Sequence, residues 1–157
     1  MNTDAIATLR EQLLSALNPA PAETRRLFHG RGRRWPGLEQ VTADWLEGVL
    51  LVSLFREPEA DELAALRAML LELAQGDTWR ASGARSLMLQ HRYTLESTME
   101  VLAGEAFDGW QISEHGLRYQ LDLGRKQNNG LFLDMRYGRQ WVQANAAGLR
   151  VLLSLIH

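Results

Sequence analysis

Apolar residues first recur at helical spacing at Ile6, Leu9, Leu13 and Leu17. This predicts an amphipathic helix capped by Thr3 and ended by Asn18-Pro19-Ala20-Pro21. A second short helix is expected over residues 21–28, and the following His29-Gly30-Arg31-Gly32-Arg33-Arg34-Trp35-Pro36-Gly37 has the glycine and proline content of an exposed loop. The pattern then changes to β-rich runs at Val41–Trp45 and residues 49–55, separated by Leu46-Glu47-Gly48, a spacing that suits a hairpin. Leu63, Leu66, Leu70 and Leu73 share one face of a helix that opens near Pro58 and Asp61, and Gly76 stands where a helix commonly ends in the left-handed conformation. Residues 86–92 read as a strand and 94–103 as a weak helix or loop. Residues 110–113 and 117–123 form a hairpin closed at Glu114-His115-Gly116. A last helix begins after Leu133, with Asp134 as cap or first-turn acid and Gly148 as its stop, before a terminal strand over residues 150–156. The order fits an α+β fold: a small β-rich domain with flanking helices, followed by the first helix and strand of a further α/β domain.

Composition narrows the classes. With 157 residues, 46% of them hydrophobic, the chain is long enough for one ordinary domain or two small ones. Its longest apolar runs fall far short of the roughly 20 residues that span a bilayer. The amino terminus lacks the basic start and apolar stretch of a secretory signal, and there is no cysteine, so a cytoplasmic location is expected and thiolate or cysteine-zinc chemistry is excluded. A net charge of -2 argues against a surface coated in positive potential, but the charge is segregated. Acids gather over residues 57–72, whereas Arg25, Arg26, Arg31, Arg33 and Arg34 crowd together beside Phe28 and Trp35.

Two segments carry candidate chemistry. In Gln127-Asn128-Asn129-Gly130 the amides offer donors and acceptors, and the glycine lets a backbone approach a ligand closely; the same residues also spell an ordinary β-turn. Asp134 serves as a helix cap or as a cleft residue, and Arg136 and Arg139, three apart on one helix face, meet phosphate or solvent. The run from Arg25 to Trp35 is the candidate RNA contact, because guanidinium groups pair bidentately with phosphate and stack on bases, and aromatic rings stack too. Arginine is nearly the only basic residue used, Lys126 being the single lysine, so composition alone also accounts for some clustering. The histidines lack metal-ligand spacing, His115 reading as a turn residue, and no Walker loop, nucleophile elbow or dinucleotide fingerprint occurs. The tryptophans read as packing residues.

Residues 117–142, LRYQLDLGRKQNNGLFLDMRYGRQWV, resemble a segment of S-adenosylmethionine-dependent RNA methyltransferases of the large-ribosomal-subunit cytosine/guanine type. There, a pattern E-x-G-L-x-F-x-V-D-L followed by Q-x-x-G-x-F-L-D-x-R-x-x-R leads into the catalytic Rossmann-like domain. Glu114, Gly116, Leu117, Gln127, Gly130, Phe132, Leu133, Asp134, Arg136 and Arg139 fall at matching positions. Trp35-Pro36-Gly37-Leu38 with Val41–Trp45 and residues 49–52 resembles the hairpin of the small β-rich domain that precedes catalysis in that family. The resemblance covers residues 28–151 with gaps, and no PUA module is visible before it.

The resemblance implies S-adenosylmethionine as cofactor, RNA as partner, and Gln127, Asn129, Gly130, Phe132, Asp134 and Arg136 as cofactor-binding or cleft-lining residues. RNA contacts are then expected from Arg25, Arg26, Arg31, Arg33, Arg34, Trp35 and Arg139, with no metal. The implied organisation is a helical segment over 1–28, an α+β domain on the RNA side over 29–124, and the start of the methyltransferase domain over 125–157. Where relatives continue into a Gly-rich loop, this chain reads Leu152-Leu153-Ser154-Leu155-Ile156-His157, as a shifted reading frame would produce. The expectation is therefore the front part of a methyltransferase, inactive alone, that self-associates through its apolar terminal strand. The alternative is a non-catalytic RNA-binding or interaction module.

Overall fold

The computed structural model describes residues 1–124 and 128–152. A five-stranded sheet lies at its centre, built from β1 (Arg25–His29), β2 (Val41–Trp45), β3 (Val49–Leu54), β4 (Ser86–His91) and β5 (Met99–Gly104), side by side in chain order. Neighbours are antiparallel except β3 and β4, which run parallel. A parallel pair needs a crossover, supplied by α2 (Ala60–Leu73) and α3 (Asp77–Ser82). A second sheet is the hairpin of β6 (Gly109–Glu114) and β7 (Leu117–Asp122). The mixed α+β architecture and both expected hairpins are as the sequence pattern indicates.

Strand alternation divides the residues between the faces of the central sheet. Ala43, Trp45, Leu50, Val52, Leu54, Leu87 and Leu89 pack in one cluster with Ile6, Leu9 and Leu13 of α1 (Thr3–Ala16) and with Leu66, Leu70 and Leu73 of α2. The opposite face contributes Val49, Leu51 and Met88 to a second cluster with Ile112, Leu121, Leu123, Leu131 and Leu133. The β6–β7 hairpin is fastened over that second face by two bonds to the turn before β3. Trp110 Nε1 donates to the Leu46 carbonyl at 2.6 Å, and the Ser113 amide donates to Glu47 at 2.6 Å.

Several local expectations are corrected. Residues 21–28 are not helical: Arg25–His29 is an edge strand paired with β2, because tertiary pairing outweighs the weak helical propensity of so short a segment. Residues 94–103 are likewise not helix or loop throughout, since Met99–Gly104 pairs with β4 as the other edge. Asn2, not Thr3, caps α1 by accepting the Ala5 amide at 2.8 Å. Gly76 is extended and opens α3, whereas the left-handed residue is Gly83 at the end of that helix, with φ of 74°. The loop after β1 contains a 3-10 turn, Gly30–Gly32, in which Gly30 is buried. A Cβ at Gly30 would lie 1.8 Å from the Leu38 carbonyl oxygen, so only glycine fits.

The last helix, α4 (Arg136–Asn145), follows a 3-10 turn, Leu133–Met135. Asp134 sits inside that turn and does not cap α4, whose N-cap position is Met135 with no side-chain bond. Gly148, φ 74°, stands beyond the helix end as expected of a stop. Of the terminal strand expected over residues 150–156, only 150–152 are described, and they join no sheet.

Candidate functional site

The second face of the central sheet is dry at one end and wet at the other. Next to Leu51 and Met88 the same alternation places Thr42 and Asp44 of β2, Ser53 of β3 and Gln90 of β4, each at most 6% exposed. Strand register aligns them, Arg26 with Asp44 in one row and Thr42, Ser53 and Gln90 in the next. Hydrophobic residues are the default on inner strands, so a buried polar row marks a place where something other than packing is served.

A bulge makes the arrangement possible. Arg26 and Phe28 stand two apart and would ordinarily share a face, but the register shifts between them. Phe28 therefore packs into the helix-side core, while Arg26 reaches Asp44 through two bonds, Nε to Oδ1 at 2.7 Å and Nη2 to Oδ2 at 3.2 Å. Burial pushes the Asp44 carboxyl above its usual range even though Arg26 pulls the other way. Burial also opposes the charge of Arg26, but Asp44 more than offsets it. Ser53 Oγ donates to Gln90 Oε1 at 3.2 Å.

Over this floor lies the segment 128–134. Asn128 Oδ1 accepts from Arg92 Nη2 at 3.0 Å, Asn129 Oδ1 accepts the Leu131 amide at 3.3 Å, and the Asn129 carbonyl accepts the Asp122 amide at 2.9 Å. Leu131 and Leu133 plug into the dry cluster, which turns Phe132 and Asp134 outward; Phe132 is 60% exposed. Floor and roof enclose a cleft of about 60 Å³ lined by Arg26, Asp44, Gln90, Arg92, Asn129 and Asp134 among others. Since a water needs roughly 10–15 Å³ by such a measure, the cleft holds a few waters or the end of a ligand.

The structure thus brings Arg26, Asn129, Phe132 and Asp134 together. Gly130, with φ of 103°, is in the roof segment, and Gln127 lies outside the described residues. Arg136 and Arg139 are committed elsewhere. Arg139 grips the buried Glu114 at 2.6 and 2.8 Å and donates to the Phe132 carbonyl at 2.7 Å. Arg136 bonds the Thr24 carbonyl at 2.6 Å and Glu23 at 3.0 Å. These bonds moor α4 and the roof to the hairpin and to the segment before β1. The bond from Arg139 holds the Glu114 carboxyl below its usual range against the opposing effect of burial.

Arg25, Arg33 and Arg34 are exposed, and Trp35 packs on Phe28 with ring centroids 5.7 Å apart. Arg31 lies over the Phe55 ring, 4.2 Å from its centroid. Sequence reasoning missed Thr42, Asp44, Ser53, Phe55, Gln90 and Arg92. The available signal was the polar alternate positions of the runs VTADW, VLLVSL and SLMLQH. Of the tryptophans, Trp45 and Trp79 are core, whereas Trp141 is exposed on α4. Among the described residues no group of acids and histidines could hold a metal ion, and no helix is long and apolar enough to cross a membrane.

Residues 25–157 match the family model of S-adenosylmethionine-dependent methyltransferases. The ribosomal RNA large subunit methyltransferase K/L of Hahella chejuensis (strain KCTC 2396) is 27% identical over 114 residues, which cover 71% of this chain and 16% of that protein. Among solved structures, a protein of Streptococcus mutans described as a SAM-dependent methyltransferase superposes with a TM-score of 0.68 at 19% identity, over 92% of this chain and 36% of that one. A second, a methyltransferase complexed with SAH, gives 0.63 at 19% identity, over 89% and 34%. The chain therefore spans about a third of the solved relatives and about a sixth of the curated one.

Proposed function

The chain belongs to the S-adenosylmethionine-dependent methyltransferase family, and from that premise we propose that it is the RNA-side part of an enzyme that methylates ribosomal RNA. One observation carries the proposal. The segment that holds the family motif, residues 128–134, closes over the buried polar row of the β-rich domain, so that motif and domain line one cleft. The RNA part of the reading draws on the ribosomal RNA methyltransferase of Hahella chejuensis and on the arginines at and beside the cleft. In this reading residues 29–124 form the RNA-side domain, residues 125–157 begin the Rossmann-like methyltransferase domain, and the protein works in the cytoplasm.

The residues present fit part of S-adenosylmethionine. Asp134 and Asn129 offer a carboxylate and an amide to an ammonium or a ribose diol, and the exposed Phe132 ring offers a flat apolar face to adenine. Gln127, Gly130 and Arg136 belong to the same proposed set, Arg136 as the anchor that places the roof. When bound, the cofactor supplies the methyl group. The chain's own residues orient the substrate end: Arg26 fixes Asp44, the Ser53–Gln90 bond holds that part of the floor in place, and Thr42 adds a hydroxyl to the same floor. The cleft that the described residues form, about 60 Å³, does not enclose the cofactor, and on that ground the proposal includes that the chain by itself neither binds it tightly nor transfers methyl groups. Self-association through residues 150–156 belongs to the same proposal.

Calorimetry with S-adenosylmethionine, and binding of ribosomal RNA fragments over a range of salt, test the two halves separately. The expected result is RNA binding that weakens steeply with salt and no tight cofactor binding. Tight cofactor binding or methyl transfer by the isolated chain overturns the claim of inactivity; RNA affinity no greater than that of an acidic control protein overturns the substrate class. A second reading, an RNA-binding module without catalysis, is favoured by the concentration of basic side chains on a sheet that is fully formed within residues 25–104.

A further inference from the structure

β1 and β2 are antiparallel, as are β2 and β3, so β1 runs in the same direction as β3 and as its parallel neighbour β4. Their carboxyl ends therefore lie at one end of the sheet. Each strand delivers one residue to the same spot: Arg31 after β1, Phe55 after β3 and Arg92 after β4. The Arg31 and Arg92 guanidinium carbons lie 4.2 and 4.7 Å from the centroid of the single Phe55 ring. Among the described residues neither arginine pairs with a carboxylate; Arg92 Nη2 donates to the neutral Asn128 Oδ1 at 3.0 Å, and Arg92 Nε is buried without a hydrogen-bond partner. Burial and the charges of Arg31 and Arg26 push the Arg92 pKa down, with Asp44 alone pulling it up. Asp44 is already held by both prongs of the Arg26 fork, and Asp134 at the rim also acts on Arg26, so the acids of the cleft leave Arg31 and Arg92 without a carboxylate partner.

Like charges gathered on one ring repel, and an anion with several acceptor oxygens relieves the repulsion best. Two guanidiniums side by side, with the N–H groups of Arg31 and the remaining ones of Arg92, match the several oxygens of a phosphate better than a carboxylate, which pairs with one guanidinium. We propose that Arg31 and Arg92, braced on Phe55, form a phosphate-binding site that seats the RNA backbone at the mouth of the cleft. This rests on the RNA reading above and adds to it the place where one phosphate is held. The ring acts as the platform that fixes the two forks, through cation–π contact, and Thr42, Ser53 and Gln90 lie on the cleft floor beyond them.

The test compares wild type with R31Q/R92Q and with R10Q, which removes a charge from α1 on the other face of the sheet. Each binds a fluorescent single-stranded oligoribonucleotide across a salt series, and the Arg Nε–Hε resonances are followed during titration with inorganic pyrophosphate. R31Q/R92Q is expected to bind RNA about tenfold more weakly at low salt and to lose about 0.7 from the log–log salt slope per lost phosphate contact. R31K/R92K is expected to recover part of the affinity. Pyrophosphate is expected to shift the Arg31 and Arg92 Nε resonances in wild type. Equal RNA affinity and slope for R31Q/R92Q and R10Q overturn the site while leaving the RNA reading standing. Shifted resonances in a wild type that fails to bind RNA keep the anion site and overturn the RNA reading; no shift and no RNA binding overturn both.

Discussion

Replacing Arg26 with alanine strips a buried carboxylate of its bidentate partner, and the size of the loss has a ceiling. A carboxyl left alone in the interior neutralises instead of staying charged. Protonating a group whose ordinary pKa is 3.8 at pH 7 takes about 4 kcal/mol, at roughly 1.4 kcal/mol per pH unit. Arg92 still attracts Asp44 in the variant, which brings the expected loss to about 3 kcal/mol, in line with broken buried pairs elsewhere. Removing Arg26 raises the folded-state pKa of Asp44 further above its unfolded value, so the folded form binds the extra proton. The penalty is then full near pH 7 and is relieved as pH falls toward 3.8, where the unfolded chain is protonated as well. Urea unfolding followed by tryptophan fluorescence at pH 7 and pH 4.5 reads this directly, since Trp45 adjoins Asp44 on β2. R26A should lose much less stability at the lower pH, and R26Q/D44N should be milder than the sum of its single changes. A loss below about 1 kcal/mol at pH 7, or one that does not change with pH, would mean that Asp44 is solvated and that the polar row is not a low-dielectric floor.

Gly30→Ala should destabilise by about 3 kcal/mol in a thermal melt, because the new Cβ overlaps the Leu38 carbonyl. Glu114→Gln should cost about 2 kcal/mol at neutral pH and speed hydrogen exchange in α4 while leaving β2 and β3 unchanged, since Arg139 holds α4 through that carboxylate. Because the Glu114 pKa is lowered in the fold, its contribution is complete above the ordinary carboxylate range and lost as pH falls through the depressed value; a wild-type and E114Q pair that diverge only at acid pH would contradict the assignment. Trp110→Phe removes the bond to Leu46 and should loosen the β6–β7 hairpin by about 1 kcal/mol, seen as faster exchange in β6 and β7 ahead of the central sheet.

Long amphipathic or alternating segments were legible because their period is a property of the chain itself. Ile6, Leu9, Leu13 and Leu17 are all buried as their spacing requires, and both hairpins close where their turn residues stand, with Glu47 and His115 in the positive-φ conformation such tight turns demand. The two edge strands were not legible. β1 has a bulge that breaks its alternation, and β5 is half exposed along its length, so neither carries the periodic signal that strand reading relies on. Arg136 and Arg139 were recognised as a pair on one helix face, but that their partners are Glu23 and Glu114 depends on contacts more than twenty residues away.

The cleft was unreadable for a deeper reason. Thr42, Ser53 and Gln90 come from three strands and meet only through register, and Arg26 joins Asp44 only because a one-residue bulge turns it to that face. Each is unremarkable where it stands in the chain. What binds them to the motif is the division of one sheet face into a dry and a wet half. Leu131 and Leu133 are drawn to the dry half by Leu51 and Met88, and with two such anchors flanking it Phe132 has no choice but to face out, with Asp134 following at the rim. The apolar residues of the motif thus set the position of its polar ones. Enlarging the dry half at Met88 or shrinking it at Leu133 should therefore displace Asp134 from the cleft without touching any residue that lines its polar floor.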